Sequence, residues 1–290
     1  MSLSVKQALD SGVQKLKQSG IPEPRLDVEV FLSNAIGMVR EDIFIHFDRA
    51  LSAQEQNKFE DFIVRRQTRE PVARILGFRE FWSLDFKLNA ETLIPRPDSE
   101  TLVAAVVELF ENKKNQPTSH VLDFGTGSGC LLLSILSSLP LAQGLGVDIA
   151  PKAIEAAQNN AKHLGLNKRA EFLEYSWLDD DAGVIGPQKF DIIISNPPYI
   201  ERQDIADLEK DVSEFDPMLA LDGGVDGMDH YKALAKIGLK YLATGGYFFL
   251  EIGLGQTQSV ANIFALHGWK LHSTHSDMSG IERVLVFKQK

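Results

Sequence analysis

Residues 1–77 carry the hydrophobic spacing of short amphipathic helices. Apolar side chains recur three and four positions apart over 5–20 and 26–37, and each stretch ends at a glycine. A third stretch begins with the capping-box sequence Ser52-Ala53-Gln54-Glu55 and ends before Pro71. Brief loops are expected between the three stretches. This pattern predicts a small helical bundle at the start of the chain.

The pattern changes after residue 77. Aromatic and aliphatic residues alternate over 78–97, which predicts a β-hairpin that bridges to the next domain. From 98 to 290, short apolar runs alternate with helical patterns, which predicts an α/β doubly wound, mostly parallel sheet of seven strands. No helix separates the last two strands, so they are expected to form an antiparallel hairpin at an edge. The predicted strands are HVLDF, QGLGVDI, AEFLEY, FDIIIS, YFFLEIG, WKLHSTH and ERVLVFK.

Composition narrows the class of protein. The 290 residues are 44% hydrophobic and 24% charged, which is typical of a globular protein with a sizeable core. The net charge of -10 disfavours a broad nucleic-acid-binding surface. One cysteine permits no internal disulfide, and no apolar run approaches the roughly 18 residues that span a bilayer. Without a signal-peptide core, the expected location is the cytoplasm.

A glycine-rich segment follows the first predicted strand of the sheet. The sequence VLDFGTGSG places Gly125, Gly127 and Gly129 between that strand and a helix. Such glycines allow a tight turn, or close approach of the backbone to a ligand. Their spacing differs from the G-x-G-x-x-G dinucleotide fingerprint. With Asp123, the segment resembles the first motif of Rossmann-like class I S-adenosylmethionine methyltransferases, which implies that this loop receives the amino-acid end of the cofactor.

The second predicted strand ends in an acid. Asp148 lies about 20 residues beyond the glycines, where a carboxylate can accept hydrogen bonds from both hydroxyls of a ribose. Its structural alternative is to cap the helix that begins near Pro151 or to compensate the dipole of that helix.

The fourth predicted strand ends abruptly in Asn196-Pro197-Pro198-Tyr199. Both prolines have a fixed φ, so the segment is stiff. The Asn196 side-chain oxygen and the Pro197 carbonyl form a pair of acceptors suited to a planar NH2 group, with Tyr199 against its flat face. An amide nitrogen is a poor nucleophile, and binding both of its N–H bonds favours a pyramidal nitrogen that can attack a methyl group. The alternative is a proline-stiffened turn.

Longer stretches extend the resemblance over nearly the whole chain. REPVARILGFREFWSLDF, LIPRPDSETLV, ISNPPYI and SGIERVLVFK resemble the peptide chain release factor N5-glutamine methyltransferases, the PrmC/HemK family. The resemblance implies methyl transfer from S-adenosyl-L-methionine, with S-adenosyl-L-homocysteine as product, to the glutamine of the Gly-Gly-Gln motif in class-1 peptide release factors. We predict that the helical domain and the central cleft together hold this protein partner.

The resemblance assigns roles to the motif residues. Catalytic roles are expected for Asn196, Pro197 and Tyr199, and substrate binding for these three with Pro198. No metal site is expected. The expected cofactor-binding residues are Gly125, Thr126, Gly127, Ser128, Gly129, Asp148, Trp177 and Asn196.

The residue immediately before Trp177 departs from the family pattern. Family members often have an acid immediately before this tryptophan, whereas the chain has Ser176. Asp179, Asp180 or Asp181 are candidates to replace it, or form a solvated loop. Trp177 itself is expected to pack on adenine, with a core or surface aromatic as the alternative.

Other assignments stay open at the sequence level. Arg96 is expected near the mouth of the pocket, with a structural ion pair equally plausible, and Glu100 has no firm role. Two other substrates use the same chemistry: a glutamine of a ribosomal protein and an amino group of nucleic acid. The chain has no evident basic stretch for phosphates, so direct nucleic-acid or membrane binding is not expected. A binding protein that has lost catalysis is disfavoured by the intact Asn-Pro-Pro-Tyr.

Overall fold

The computed structural model describes residues 3–111, 119–178 and 185–290. It divides into two compact units. Unit 1 comprises Met1–Phe78 together with Glu209–Phe215. Unit 2 comprises Arg79–Leu208 and Asp216–Lys290. The sequence did not predict that a segment from the second half of the chain packs with the N-terminal helices, and the domain limits 1–77, 78–97 and 98–290 stay predictions.

Unit 1 is helical, as predicted. Phe31 and Phe62 lie at its centre with ring centroids 5.4 Å apart, and Leu16 and Val28 are fully buried in the same core. The Ser52 capping box is present, because the Ser52 hydroxyl accepts from the Glu55 N–H and the Glu55 carboxylate accepts from the Ser52 N–H. The helices are α1 (Val5–Gln18), α2 (Pro24–Ile36), α3 (Ala53–Gln67) and α4 (Val72–Leu76).

The segment Glu209–Phe215 is held in unit 1 by charge. It contains the short helix α8 (Lys210–Ser213). The Arg66 guanidinium donates to Asp27 at 2.8 Å and to Asp211 at 2.7 Å, and its side chain is 8% exposed. Arg69 pairs with the same Asp211 at 2.9 Å. A buried arginine needs such partners, so Asp211 ties the segment to Arg66 of α3, and Asp27 joins α2 to the same arginine.

The predicted hairpin forms between β1 (Phe78–Phe81) and β2 (Leu84–Lys87). Its two-residue turn places Trp82 and Ser83 at φ values of 55° and 58°. The Glu100 carboxylate accepts the Trp82 N–H at 2.8 Å. Glu100 therefore supports a strained turn, a role that the sequence left open.

Unit 2 is built on a seven-stranded sheet in the order β5-β4-β3-β6-β7-β9-β8. The pairs from β5 to β7 are parallel, whereas β9 is antiparallel to both of its neighbours. This confirms the predicted fold class, including an antiparallel C-terminal hairpin at one edge. The strands are β3 (His120–Phe124), β4 (Gln143–Asp148), β5 (Ala170–Glu174), β6 (Phe190–Ser195), β7 (Leu242–Glu251), β8 (Trp269–Ser276) and β9 (Glu282–Gln289).

Helices cover both faces of the sheet, so successive strand residues are buried on opposite sides. In β6, Ile192 and Ile194 join one core and Ile193 joins the other. Five helices pack core side chains against the two faces of the sheet. Those on the first face are α5 (Glu100–Glu111), α6 (Cys130–Ser138) and α7 (Pro151–His163), and those on the second are α9 (Asp229–Tyr241) and α10 (Thr257–Leu266).

The register brings the carboxyl ends of four strands together. Phe124 of β3 pairs with Val147 of β4 and with Ser195 of β6, and Ser195 pairs with Leu250 of β7. The residues that follow these positions therefore meet at one edge, where ligands bind in open α/β sheets. Within the described ranges, no helix is long and apolar enough to cross a bilayer.

Replacing Ser52 with alanine tests the capping box. We expect Ser52→Ala to lower the free energy of unfolding by about 1 kcal/mol, because the Glu55 N–H loses its side-chain acceptor. Urea denaturation followed by circular dichroism measures this loss. Gln54→Ala, on an exposed position of the same first turn, is the control and should change stability little. Equal effects of both substitutions would contradict the capping role.

Candidate active site

The glycine loop after β3 is a folded turn with its own internal bonds. Gly125, Gly127 and Gly129 have φ values of 77°, 55° and 82°, which are accessible to glycine at little cost. The N–H groups of Gly125 and Thr126 donate to the Val147 carbonyl at 2.8 and 3.0 Å. The loop is thus fastened to the neighbouring strand β4 and held in one conformation.

Asp123 of β3 supports the glycine loop through a hydrogen bond with Thr126. It is fully buried, and one carboxylate oxygen accepts the Thr126 hydroxyl at 2.7 Å. Burial raises the pKa of Asp123 to about 7, against the effect of the Thr126 hydrogen bond. Its other oxygen has no hydrogen-bond partner among the described residues.

Asp148 connects the glycine loop to helix α7. Its Oδ2 accepts the Gly127 N–H at 2.8 Å, and its Oδ1 accepts the Ala150 N–H at 2.9 Å. Burial raises the pKa of Asp148, and these backbone bonds oppose the shift. Helix α7 begins after its N-cap Ala150 without a side-chain cap, so Asp148 does not cap it and instead closes the turn that precedes it. Each carboxylate oxygen keeps a second lone pair for a ligand, so ribose binding stays a prediction.

Trp177 lies against the glycine loop. A Cβ built on Gly125 would be 3.1 Å from its ring, and the ring contacts His230 edge-on at a centroid distance of 5.7 Å. Trp177 is 8% exposed, and its indole N–H has no partner among the described residues. Asp179, Asp180 and Asp181, the candidates to replace the missing acid, lie outside the described residues.

The Asn-Pro-Pro-Tyr segment continues β6 beyond Ser195. Pro197 and Pro198 are buried, and Asn196 and Tyr199 are half-buried. The Asn196 Nδ2 donates to the Ser99 hydroxyl at 3.2 Å. Burial and the nearby charge of Glu251 raise the pKa of Tyr199 to about 12. The Tyr199 phenol is therefore neutral at physiological pH.

Close packing fixes the backbone at Tyr199. The Gln256 side-chain amide donates to the Tyr199 carbonyl at 3.0 Å. A Cβ on Gly223 would lie 2.7 Å from the Tyr199 carbonyl carbon, and one on Gly227 would lie 2.6 Å from its oxygen. Two glycines and one glutamine thus hold the segment, and the sequence reasoning missed all three.

These elements border one cavity of about 850 Å³, with the open solvent at its mouth included. Of the sequence-predicted residues, the cavity lining includes Gly125, Thr126, Gly127, Ser128, Asp148, Trp177, Asn196 and Pro198. Gly129, Pro197 and Tyr199 are not part of this lining. Tyr199 instead lines an open groove with Gly253 and Gln256.

The residues after the hairpin complete the cavity wall. Leu93, Pro95, Arg96 and Ser99 all line it. Arg96 also pairs with Asp216 at 2.5 Å. Arg96 therefore holds both positions proposed from the sequence, beside the pocket and in an ion pair.

Comparison with known proteins identifies the family. The PrmC N-terminal domain model matches residues 7–77, and a methyltransferase domain model matches 115–250. A release factor glutamine methyltransferase of Rhodospirillum rubrum is 43% identical over 289 residues, which is 100% of this chain and 86% of the relative. One of Bradyrhizobium diazoefficiens is 39% identical, over 97% of this chain and 94% of the relative.

The chain belongs to the release factor glutamine methyltransferase family.

A solved structure supports the fold of this methyltransferase. The hMettl16 catalytic domain, crystallised with the MAT2A 3'UTR hairpin 6, superposes with a TM-score of 0.57 at 16% identity. The match covers 75% of this chain and 81% of that one. At this identity the likeness concerns the fold alone.

The cavity of the methyltransferase has the features that an S-adenosyl cofactor requires. The position of a Cβ on Gly127 is open, with no atom within 4 Å, so a ligand can approach the loop backbone. The buried indole N–H of Trp177 and the spare lone pairs of Asp148 are unused polar groups at its wall. Within the described ranges, no cluster of three His, Cys, Asp or Glu residues is placed to hold a metal ion.

A methyl group added at Gly223 tests how closely Tyr199 is held. We expect Gly223→Ala to cost about 1–3 kcal/mol in stability, because the Cβ collides with the Tyr199 backbone. It should also lower kcat for methyl transfer, since Tyr199 must move. Gly245→Ala is the control: it strains a residue at φ 80° with no atom within 4 Å of the new Cβ. Equal kcat losses in both would show that only stability matters.

Proposed function

We propose that this enzyme methylates the side-chain amide N5 of the glutamine in the Gly-Gly-Gln motif of class-1 peptide release factors, with S-adenosyl-L-methionine as methyl donor. The observation that carries the proposal is the Asn196 side chain at the cavity wall, directly after β6, where the glycine loop that follows the neighbouring strand β3 lines the same cavity. The family membership of the chain supports the release factor as substrate.

The cofactor would be held by the loop from Gly125 to Gly129, by Asp148 and by Trp177. Backbone N–H groups of the loop suit the carboxylate of the amino-acid end, and Asp148 suits the ribose hydroxyls. The Trp177 ring suits a flat adenine. When bound, S-adenosylmethionine supplies an electrophilic methyl group on a sulfonium centre.

The residues of the chain would activate the substrate by holding its amide nitrogen. Asn196 Oδ1 and the Pro197 carbonyl accept its two N–H bonds, and Tyr199 and Pro198 border the glutamine side chain. These acceptors favour a pyramidal nitrogen whose lone pair points at the methyl group. Their attraction grows as positive charge develops on the nitrogen, so it stabilises the transition state more than the ground state. The proton leaves after the transfer, so no strong base is needed at the start.

Mass spectrometry of a release factor tests the proposal directly. Unmodified recombinant release factor is incubated with the enzyme and S-adenosylmethionine, digested and mapped. We expect the mass of one methyl group on the glutamine of Gly-Gly-Gln, and none when that glutamine is replaced by alanine. Methylation of a ribosomal protein or of nucleic acid in its place would refute the release factor as substrate and retain the methyltransferase.

Removing the Asn196 amide tests the acceptor pair. We expect Asn196→Ala to lower kcat by about 10²- to 10³-fold, as the loss of one preorganised polar group does elsewhere. Affinity for S-adenosylmethionine and the melting temperature should change far less. Asn167→Ala, an exposed asparagine between α7 and β5, is the control. A near-normal kcat in Asn196→Ala would remove the proposed mechanism.

Removing the Asp148 carboxylate tests the cofactor site. We expect Asp148→Ala to weaken S-adenosylmethionine binding by about 10- to 100-fold, because hydrogen bonds to a charged group are lost. Isothermal titration calorimetry measures the change. Glu155→Ala, an exposed acid on α7, should bind the cofactor normally. Unchanged affinity in Asp148→Ala would leave this acid with only its hydrogen bonds to the Gly127 and Ala150 N–H groups.

A further inference from the structure

Glu251 is a buried acid immediately beside the proposed acceptor residue. It ends β7, and the parallel register that pairs Ser195 with Leu250 brings it next to Asn196. Its residue exposure is 2%. A carboxyl in such a position needs hydrogen-bond donors, and its Oε2 has no partner among the described residues. The proposed chemistry makes no direct use of Glu251.

The side chains of Ser99 and Asn196 lie close enough to Glu251 to lower the pKa of its carboxyl. The Asn196 Nδ2 also donates to the Ser99 hydroxyl at 3.2 Å. A serine hydroxyl has one proton to donate. If that proton is given to Glu251, the Ser99 oxygen is available to accept from Asn196. In this arrangement Asn196 donates to Ser99, and Ser99 donates to Glu251.

We propose that Glu251 is a positioning residue for methyl transfer, whose carboxylate, directly and through Ser99, fixes the Asn196 amide with Nδ2 turned inward and Oδ1 left for the substrate amide. This inference rests on the proposed function of Asn196. The two ends of an asparagine amide are similar in shape but opposite in hydrogen bonding. A carboxylate accepts only, so it selects the Nδ2-inward orientation.

Protonation of Glu251 removes this selection. A neutral carboxyl can donate to Ser99, and Ser99 can then donate to Asn196 Oδ1, which turns the amide round. Burial raises the pKa of Glu251 to about 7, while the hydrogen bond from Ser99 and the charge of Arg283 oppose the shift. Activity is therefore expected to be full above neutral pH and to fall as the pH drops through this value.

Charged groups on the surrounding elements shape this titration. Asp98, on the 3-10 turn before α5, pairs with Arg283 of β9 at 2.8 Å, so the arginine charge is shared. Tyr199, Tyr231 of α9 and Cys130 of α6 also interact electrostatically with Glu251, but burial raises the pKa of each. Asp123, under the glycine loop, also has a pKa raised to about 7, so a variant of Glu251 itself is needed to assign an acid limb.

The first experiment replaces Glu251 with glutamine, which keeps the volume and removes the charge. For Glu251→Gln we expect kcat with release factor to fall by about 10²-fold above neutral pH, the typical effect of a misplaced catalytic group. The KM for S-adenosylmethionine should change little. The acid limb of the kcat profile should disappear. An intact acid limb would assign it to another group, Asp123 included, and overturn the proposal.

Ser99→Ala tests the path through the hydroxyl. It should lower kcat in the same direction as Glu251→Gln, and the double variant should lose less than the product of the two effects, because both act on one amide. Full multiplicativity of the two effects on kcat would contradict a shared path.

The control for both substitutions is Asp191→Asn, which makes the same carboxyl-to-amide change at the amino-terminal end of β6. There the Asp191 carboxylate accepts the backbone N–H of His120 at 2.9 Å. This variant should retain wild-type kcat.

Two further readouts separate positioning from folding and from the choice of substrate. The melting temperature of Glu251→Gln should not fall above neutral pH, because a buried charge is removed; a large fall together with lost cofactor affinity would mark a structural role and overturn the proposal. The side-chain amide signals of Asn196 can be followed by nuclear magnetic resonance without any substrate. Their chemical shifts should titrate near pH 7 in the wild type and not in Glu251→Gln. If wild-type enzyme fails to methylate release factor, the proposed function fails, and this titration still decides whether Glu251 controls the amide.

Discussion

The parallel register of β3, β4, β6 and β7 is the constraint on which the site depends. Because Phe124, Val147, Ser195 and Leu250 lie level across four strands, the next residue of each strand emerges at the same edge. Gly125, Asp148, Asn196 and Glu251 are these residues. Hydrogen bonding in a parallel sheet fixes such positions to within a fraction of a residue, and a shift by one residue would turn every side chain to the other face.

The same strand register places several acidic side chains where they are largely shielded from water. Asp123, Asp148 and Glu251 all have pKa values raised by burial. Each group is more easily protonated in the folded chain than in the unfolded one, so its contribution to stability declines as the pH rises through the raised value. Near neutral pH these buried acids lower the stability of the fold. Their presence at one end of the sheet is therefore better explained by a role in binding a ligand or in positioning other groups than by a role in stability.

The fold was predictable from the sequence because its signals are local. Hydrophobic spacing located the helices and strands, glycines marked the ends of α1 and α2, and Ser52 with Glu55 marked the start of α3. The packing of Glu209–Phe215 with the N-terminal helices was not predictable, because it depends on contacts of Arg66 and Arg69 with acids that lie about 140 residues further along the chain. No local pattern carries that information.

The site was only partly predictable for a related reason. Motifs indicated the residues that would face a ligand, and eight of them line one cavity. The residues that hold the motifs were missed, because Ser99 lies far from Glu251 and Gln256 in the chain and all three act through neighbours. Gly223 and Gly227 were missed because a glycine that permits close packing looks, in sequence, like any turn glycine.

The prolines alone do not explain the rigidity of the Asn-Pro-Pro-Tyr segment. Two fixed φ angles leave ψ and the Asn196 side chain free to rotate. Gln256 removes freedom at the Tyr199 carbonyl, and the two glycines let the neighbouring loop close on the same backbone. Ser99 restrains the Asn196 side chain. The proposed pair of acceptors consists of a backbone carbonyl and a side-chain oxygen, so it needs both kinds of restraint. If either oxygen could move freely, the direction in which the amide nitrogen is held would not be fixed.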